Sequence, residues 1–499
     1  MTQSREPKGA TSACRRAGLN NTVRVVIVGG GIAGLAAAYF LRDRVGAVTV
    51  LEGSPRFGGK LAISEIAGQA VDSGAEALLA RRPEAVDLIT DLGLAGQLVY
   101  PGTTAARIWT RGEFRSLPRR QFMGVPGDFD ELERVRIVSA AGAARAREDA
   151  VLAPTGRDGD VAVAEFVGAR LGAEVVDRLV EPLLGGVYAG RPDQLSFEAT
   201  LPALAQASLR HRSLTAAVNS LLGPPPSAEA GAVPAPVFTT LADGLGSLPP
   251  ALAQASGAQL RTGATVRELA RTADGWRLTV GPTISPDYVD ADVVILALPA
   301  RPASRLIGQV DGGASVAADL AAIEYASMAI VTLAYPVAAF DRPLEGSGYL
   351  VPAVDGRPVK AATFSTVKWP HLASGPVHVV RCSVGRIGEE AVLQRDDADL
   401  VALAAADFAA ATGVTGAPVD SRVTRWGGGL PQYTVGHLDR VTRIRAGVDA
   451  LRGLAVCGAA YDGIGVPACI ASARLAAERA ADYLAAATHS ATTGTGTGE

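Results

Sequence analysis

Cysteine is scarce in this 499-residue chain, and its four copies, Cys14, Cys382, Cys457 and Cys469, lie far apart. Such spacing excludes a zinc ribbon or a disulfide framework and suits a reducing compartment. Five scattered histidines offer no metal-ligand spacing, so no metal is expected. Only four lysines occur, at positions 8, 60, 360 and 368, and the net charge is −3. Nothing here supports nucleic-acid binding. Long apolar runs are also missing. The best candidate for a bilayer span, Val25–Leu41, is interrupted by Gly29-Gly30-Gly31. Met1–Asn21 carries Arg15 and Arg16 but no apolar core, so it is expected to be a disordered arm rather than a secretory signal.

What is present begins at that interrupted run, "VVIVGGGIAGLAAAYFLRD". Val25–Val28 is β-branched and short, as a buried strand should be. Ile32–Leu41, rich in Ala and Leu, suits a helix. Gly29, Gly31 and Gly34 therefore form G-x-G-x-x-G between a strand and a helix, the context in which it cradles a pyrophosphate. The anion would rest on the backbone of Gly29, Gly30, Gly31, Ile32, Ala33 and Gly34, at the positive end of the helix. "AVTVLE" then reads as a second strand ending in Glu52, where a ribose-binding acid belongs.

Farther on, Ala140–Asp149 and Val161–Leu184 read as helical, and Ala264–Val280 as a hairpin around Ala273-Asp274-Gly275. Gly223–Pro236 reads as a proline-rich linker and Thr488–Glu499 as a disordered tail. Near the end, strand-like Leu454–Cys457, a glycine loop to Gly465 and a helix opening at Pro467 repeat the first pattern. Two such units at opposite ends predict one α/β domain built from distant segments, with the rest of the chain inserted.

After Glu52 and Gly53 comes R-x-G-G-K, formed by Arg56, Gly58, Gly59 and Lys60. A cation and two permissive glycines keep a loop near a diphosphate. A flavin adenine dinucleotide needs this, and it needs a second site for its ring. The N-terminus of the last helix would stabilise negative charge on the reduced ring.

The chain resembles the porphyrinogen oxidases of haem biosynthesis, within the monoamine-oxidase-like flavoproteins, and most of all the bacterial form acting on coproporphyrinogen III. The resemblance rests on "VGGGIAGLAAAYFL", "LEGSPRFGGK", "EPLLGGVYAG", "KWPH", "TRWGGGLPQYTVGH" and "YDGIGVPACI". It implies a discontinuous FAD-binding Rossmann-like domain (22–80, 237–300, 440–487), a mixed-sheet substrate domain (81–110, 185–222, 301–439) and a helical subdomain (111–184). It implies that Lys60 and the loop Gly74, Ala75, Glu76, Ala77 lie along the flavin. Val266 would meet the adenine, and Trp426 with Ile464, Gly465 and Val466 would close over the isoalloxazine. One departure stands out: Gly458 is followed by Ala459, where many flavoproteins carry an Asp.

The implied activity is oxidation of coproporphyrinogen III by oxygen, releasing peroxide. No catalytic side chain is assigned, because the cofactor carries the chemistry. Arg82 and the adjacent Arg81, together with Lys368, are candidate propionate ligands, and Gly186 a point of backbone approach to substrate or a plain turn. His437 lacks an adjacent acid and reads as a structural, hydrogen-bonded residue. A basic, Trp-rich face for docking on a membrane is missing from Val161–Leu184, so a cytoplasmic enzyme is expected. Alternatives are a protoporphyrinogen oxidase, another flavin oxidase or desaturase, or a non-enzymatic binder resembling the GDP-dissociation inhibitors.

Overall fold

A computed structural model describes residues 23–154, 156–157, 159–224, 236–373 and 375–493, with side chains to 487. The arm at 1–21, most of the proline-rich stretch 223–236 and residues 494–499 lie outside the described residues. The last helix, Val466–Thr493, continues past the tail boundary expected at residue 488.

Strand Arg24–Val28 lies at the centre of a five-stranded parallel sheet in the order Gln259–Arg261, Ala47–Leu51, Arg24–Val28, Val293–Leu296, Leu454–Val456. Its alternating residues feed two cores. Val25 and Ile27 point into one, with helices Ile32–Leu41, Pro83–Asp91 and Val466–Thr493. Val26 and Val28 point into the other, with helices Ala300–Ile307, Ala314–Ala321 and His437–Ala450. A strand covered on both faces needs an unbroken apolar run, which "VVIV" supplies. The helices at 83–91 and 300–321 thus pack on this parallel sheet, although their positions fell almost wholly within the expected substrate domain.

The two ends of the chain meet here. Leu454–Val456 pairs with Val293–Leu296, itself paired with Arg24–Val28. Helix Ile32–Leu41 lies against Val466–Thr493, and the core they share includes the buried Ala36, Ala37, Ala473 and Ala477, small residues that permit a close approach. The expected hairpin is present as Val266–Arg271 and Trp276–Val280, completed by Asp287–Ala291.

A seven-stranded mixed sheet forms the second body, with Tyr325–Pro336 between Asp420–Pro431 and Val377–Val384. The helical subdomain does not stop at 184. Helices Pro202–Ser208 and Leu214–Leu222 share the core of Val163–Leu171 and Glu181–Tyr188. The reason is a buried acid: Asp149 pairs with Arg170 and accepts the N–H groups of Leu214 and Thr215 at 3.2 and 2.9 Å. That cap ties the later helix to the earlier ones. Among the described residues no helix is long and apolar enough to cross a membrane.

Candidate functional site

Helix Ile32–Leu41 starts with no side-chain cap and no acid in its first turn. Its first internal bond runs from Leu35 N–H to Gly31 C=O at 3.0 Å, so Ile32, Ala33 and Gly34 precede any internal partner. An uncapped helix N-terminus is an anion site. The glycines divide into two kinds. A Cβ at Gly34 would stand 1.8 Å from Gly29 O, which explains the tight strand-to-helix packing. A Cβ at Gly31 would meet nothing nearer than Gly59 Cα at 4.0 Å, so that side opens on a hollow. That opening would suit a diphosphate laid across Gly31 and the Arg56–Lys60 loop, which meet each other directly at Gly30 and Gly58.

That loop is held over the turn by Gly58 N–H donating to Gly30 C=O at 2.8 Å. The Arg56 guanidinium donates to Gly59 C=O at 2.6 Å and so stiffens its own loop. Lys60 is ringed by protein yet open to solvent, and desolvation lowers its pKa. Glu52 accepts from Gly30 N–H and Ser54 N–H, both at 2.7 Å, one on each carboxylate oxygen. Each oxygen keeps a lone pair for a ribose hydroxyl. Gly53 lies against Thr265, which precedes Val266, so Val266 stands beside the acid.

The second cluster surrounds residues 73–77. Trp426 Nε1–H donates to Ser73 C=O at 3.0 Å, and Ala75 N–H donates to Lys60 C=O at 3.1 Å. A Cβ at Gly74 would stand 1.9 Å from Lys60 O, so no larger residue fits. Behind the loop, Glu76 pairs with Lys368 Nζ at 2.6 Å and with Arg381, which also donates to Gly74 C=O. Desolvation by burial would raise the Glu76 pKa, but the two cations more than offset it and hold the carboxyl down to about 2. Asp72 next door behaves oppositely. Burial pushes it up to about 6, although Leu245 and Gly246 N–H groups donate to it at 2.9 Å each.

These two acids give stability opposite pH dependences. Glu76, depressed below its unfolded value, contributes stability that is full above about pH 4.5 and lost as pH falls toward about 2. Asp72, raised above its unfolded value, gains stability as pH falls through about 6. Glu76→Gln should therefore flatten the acid limb below pH 4.5 in unfolding midpoints measured by circular dichroism; an unchanged limb would contradict the pairing.

The third cluster is the loop between strand Leu454–Val456 and the last helix. A Cβ at Gly458 would be 3.9 Å from Ala33 Cβ, so the two glycine turns adjoin. Ile464 and Leu350 both pack on the helical core that includes Leu184 and Tyr188. Gly186 lies within helix Glu181–Tyr188, not in a turn, with its outer face exposed beside Leu350. His437 is fully buried with its ring stacked on Tyr433 at 3.8 Å, and burial lowers its pKa to about 4, which keeps it neutral.

Not all candidates converge. Arg82 forms a two-pronged pair with Glu84, at 3.1 and 2.6 Å, on an exposed helix start, and Arg81 beside it is also exposed. Lys368 is committed to Glu76. Two residues the sequence reading passed over stand at the site: Arg381 and Tyr433. An arginine inside the apolar strand "VHVVRCSV" was the available signal for the first. Nothing in the sequence marked the contacts of the second.

Residues 32–481 match the family described as flavin containing amine oxidoreductase. A coproporphyrinogen III oxidase of Mycobacterium leprae is 39% identical over 91% of this chain and 97% of its own length. Another from Bacillus subtilis is 30% identical over 92% of this chain and 98% of its own. A solved structure from Exiguobacterium sp. 255-15 superposes with a TM-score of 0.81 at 31% identity, covering 94% of this chain and all of that one. With a glycine turn at Gly29–Gly34, an acid at Glu52 and a second glycine loop adjoining that turn at Ala33, the chain belongs to the flavin containing amine oxidoreductase family, alongside the bacterial coproporphyrinogen III oxidases.

Proposed function

We propose that this flavoenzyme oxidises coproporphyrinogen III to coproporphyrin III, with oxygen as acceptor, in the cytoplasm. The observation that carries the reading is the approach of Gly458 to Ala33, which brings the C-terminal glycine loop to the first turn of the N-terminal helix, in a chain that follows coproporphyrinogen III oxidases along nearly its whole length. When bound, FAD accepts electrons two at a time, and three such steps convert the macrocycle.

The protein's own part is binding and orientation. The N–H groups of Ile32 and Ala33 meet the diphosphate, Glu52 the ribose and Val266 the adenine. Lys60 and residues 74–77 lie along the ring system, pinned from behind by Arg381 and Lys368. The start of Val466–Thr493 faces the electron-rich edge, where a helix N-terminus favours the reduced state. The substrate disc enters between Gly186 on its helix and Ile464. Its propionates call for cations, for which Arg81 and Arg82 are exposed; Lys368 serves the loop instead. Substrate protons leave through the pyrrole nitrogens, so no strong protein base is required.

The test compares growth of porphyrin fluorescence with coproporphyrinogen III and with protoporphyrinogen IX, counting peroxide in parallel. Faster turnover of the tetra-acid, with about three peroxides per porphyrin, is expected. Arg81→Ala/Arg82→Ala should raise KM for the tetra-acid more than for the di-acid and leave bound flavin unchanged. Faster turnover of protoporphyrinogen IX would overturn the substrate assignment.

A further inference from the structure

We propose that Tyr433 is a positioning residue for the flavin, and that with Trp426 it forms a two-point clamp registering the two flavin-facing loops against each other. The inference rests on the FAD-binding reading above and adds to it how the two distant loops are held.

The Tyr433 hydroxyl makes two bonds to one loop. It donates to Ala459 C=O at 2.7 Å and accepts Gly463 N–H at 2.8 Å. Its ring is almost wholly buried, stacked on His437 and 5.7 Å from Tyr188. Seven residues earlier on the same segment, Trp426 Nε1–H donates to Ser73 C=O, at the base of the other loop. The segment between them is anchored in turn. Gly428 N–H donates to Ser327 Oγ at 2.9 Å, and Gln432 Nε2–H donates to Tyr188 C=O at 2.8 Å.

The loop needs such a hold. It carries glycines at 458, 463 and 465 and alanines at 459 and 460, and its one charged side chain, Asp462, is paired with Arg445, so it brings no cation to a ribityl–diphosphate. A glycine-rich loop that binds through backbone N–H groups loses affinity when its conformation is not set in advance. Tyr433 sets it, from a strand end that also carries the indole held to the opposite loop. A clamp of this kind has a signature that two independent structural bonds lack: releasing either end frees the register, so the second release costs little more.

Tyr433→Phe keeps the ring and its stack, and Trp426→Phe keeps an aromatic at its place. Apoprotein of the wild type, both single variants and the double variant would be titrated with FAD, with the visible circular dichroism of bound flavin recorded. Each single variant should bind FAD about tenfold more weakly with an altered flavin dichroism, and the double variant little more weakly than the worse single. Wild-type affinity and dichroism in Tyr433→Phe would overturn the proposal, as would losses that multiply in the double variant. Failure of the wild type itself to take up FAD is a different result, and overturns the cofactor reading together with the clamp.

Discussion

Gly31→Val should yield a folded but colourless protein. The space beside Gly31 is open, with Gly59 Cα 4.0 Å from the position of an added Cβ, so a branched side chain enters the hollow without touching the core. That hollow is where the diphosphate would stand, against the N–H groups of Ile32 and Ala33. Blocking it removes the anion from its helix terminus and should cost FAD binding altogether. Gly34→Ala provides the contrast. Its Cβ would stand 1.8 Å from the Gly29 carbonyl oxygen, a backbone atom that cannot rotate away. The helix must then move off the central strand, at about 3 kcal/mol or more. One variant loses flavin with its unfolding midpoint preserved; the other loses both. Far-UV circular dichroism on heating and the absorbance of bound flavin separate them. A yellow Gly31→Val protein would show that the diphosphate lies elsewhere.

Arg381→Met should be the most damaging single change behind the flavin loop. Arg381 is buried, pairs with Glu76 and donates to the Gly74 carbonyl. Methionine fills much of the space but donates nothing. Glu76 would keep only Lys368, and its carboxyl would rise from about 2 toward the ordinary range. Removing one partner of a buried pair costs about 3 kcal/mol, because the remaining charge stays desolvated. The loop at 73–77 would lose its rear support at the same time. The expected result is a lower unfolding midpoint, a shallower loss of stability on acidification below pH 4.5, and weaker flavin retention. Arg381→Lys should recover part of the stability, since it restores a charge but not the second donor to Gly74. An Arg381→Met protein as stable as wild type would mean that Lys368 alone satisfies Glu76.

Why some of this was readable beforehand and some was not follows from how far apart the partners lie. Gly29, Gly31, Gly34 and Glu52 work through backbone shape and one acid within a single strand–turn–helix–strand unit, so local pattern carries them. Arg381 and Glu76 are partners across 305 residues, and neither neighbourhood hints at the other. Tyr433 lies inside a segment already singled out, yet its importance comes from the carbonyl of Ala459 and the N–H of Gly463, which no sequence pattern displays. Gly186 read as a point of backbone approach to substrate or a plain turn. Pro182 near the start of its helix and the core residues Leu184 and Tyr188 carry the helix through Gly185 and Gly186, an instance of tertiary packing overriding propensity. The helical subdomain outran its expected end for a similar reason, since Asp149 caps a helix that begins at Leu214. His437 was expected to be held by hydrogen bonds; the structure sets it against the Tyr461 backbone and stacks its ring on Tyr433.

A crystal structure of the protein reconstituted with FAD tests the whole account most directly. The account places the diphosphate against Gly31–Ala33, the ribose on Glu52, and the isoalloxazine between Trp426 and Ile464–Val466. A flavin ring lying away from the start of helix Val466–Thr493, or a diphosphate away from Gly31, would contradict it.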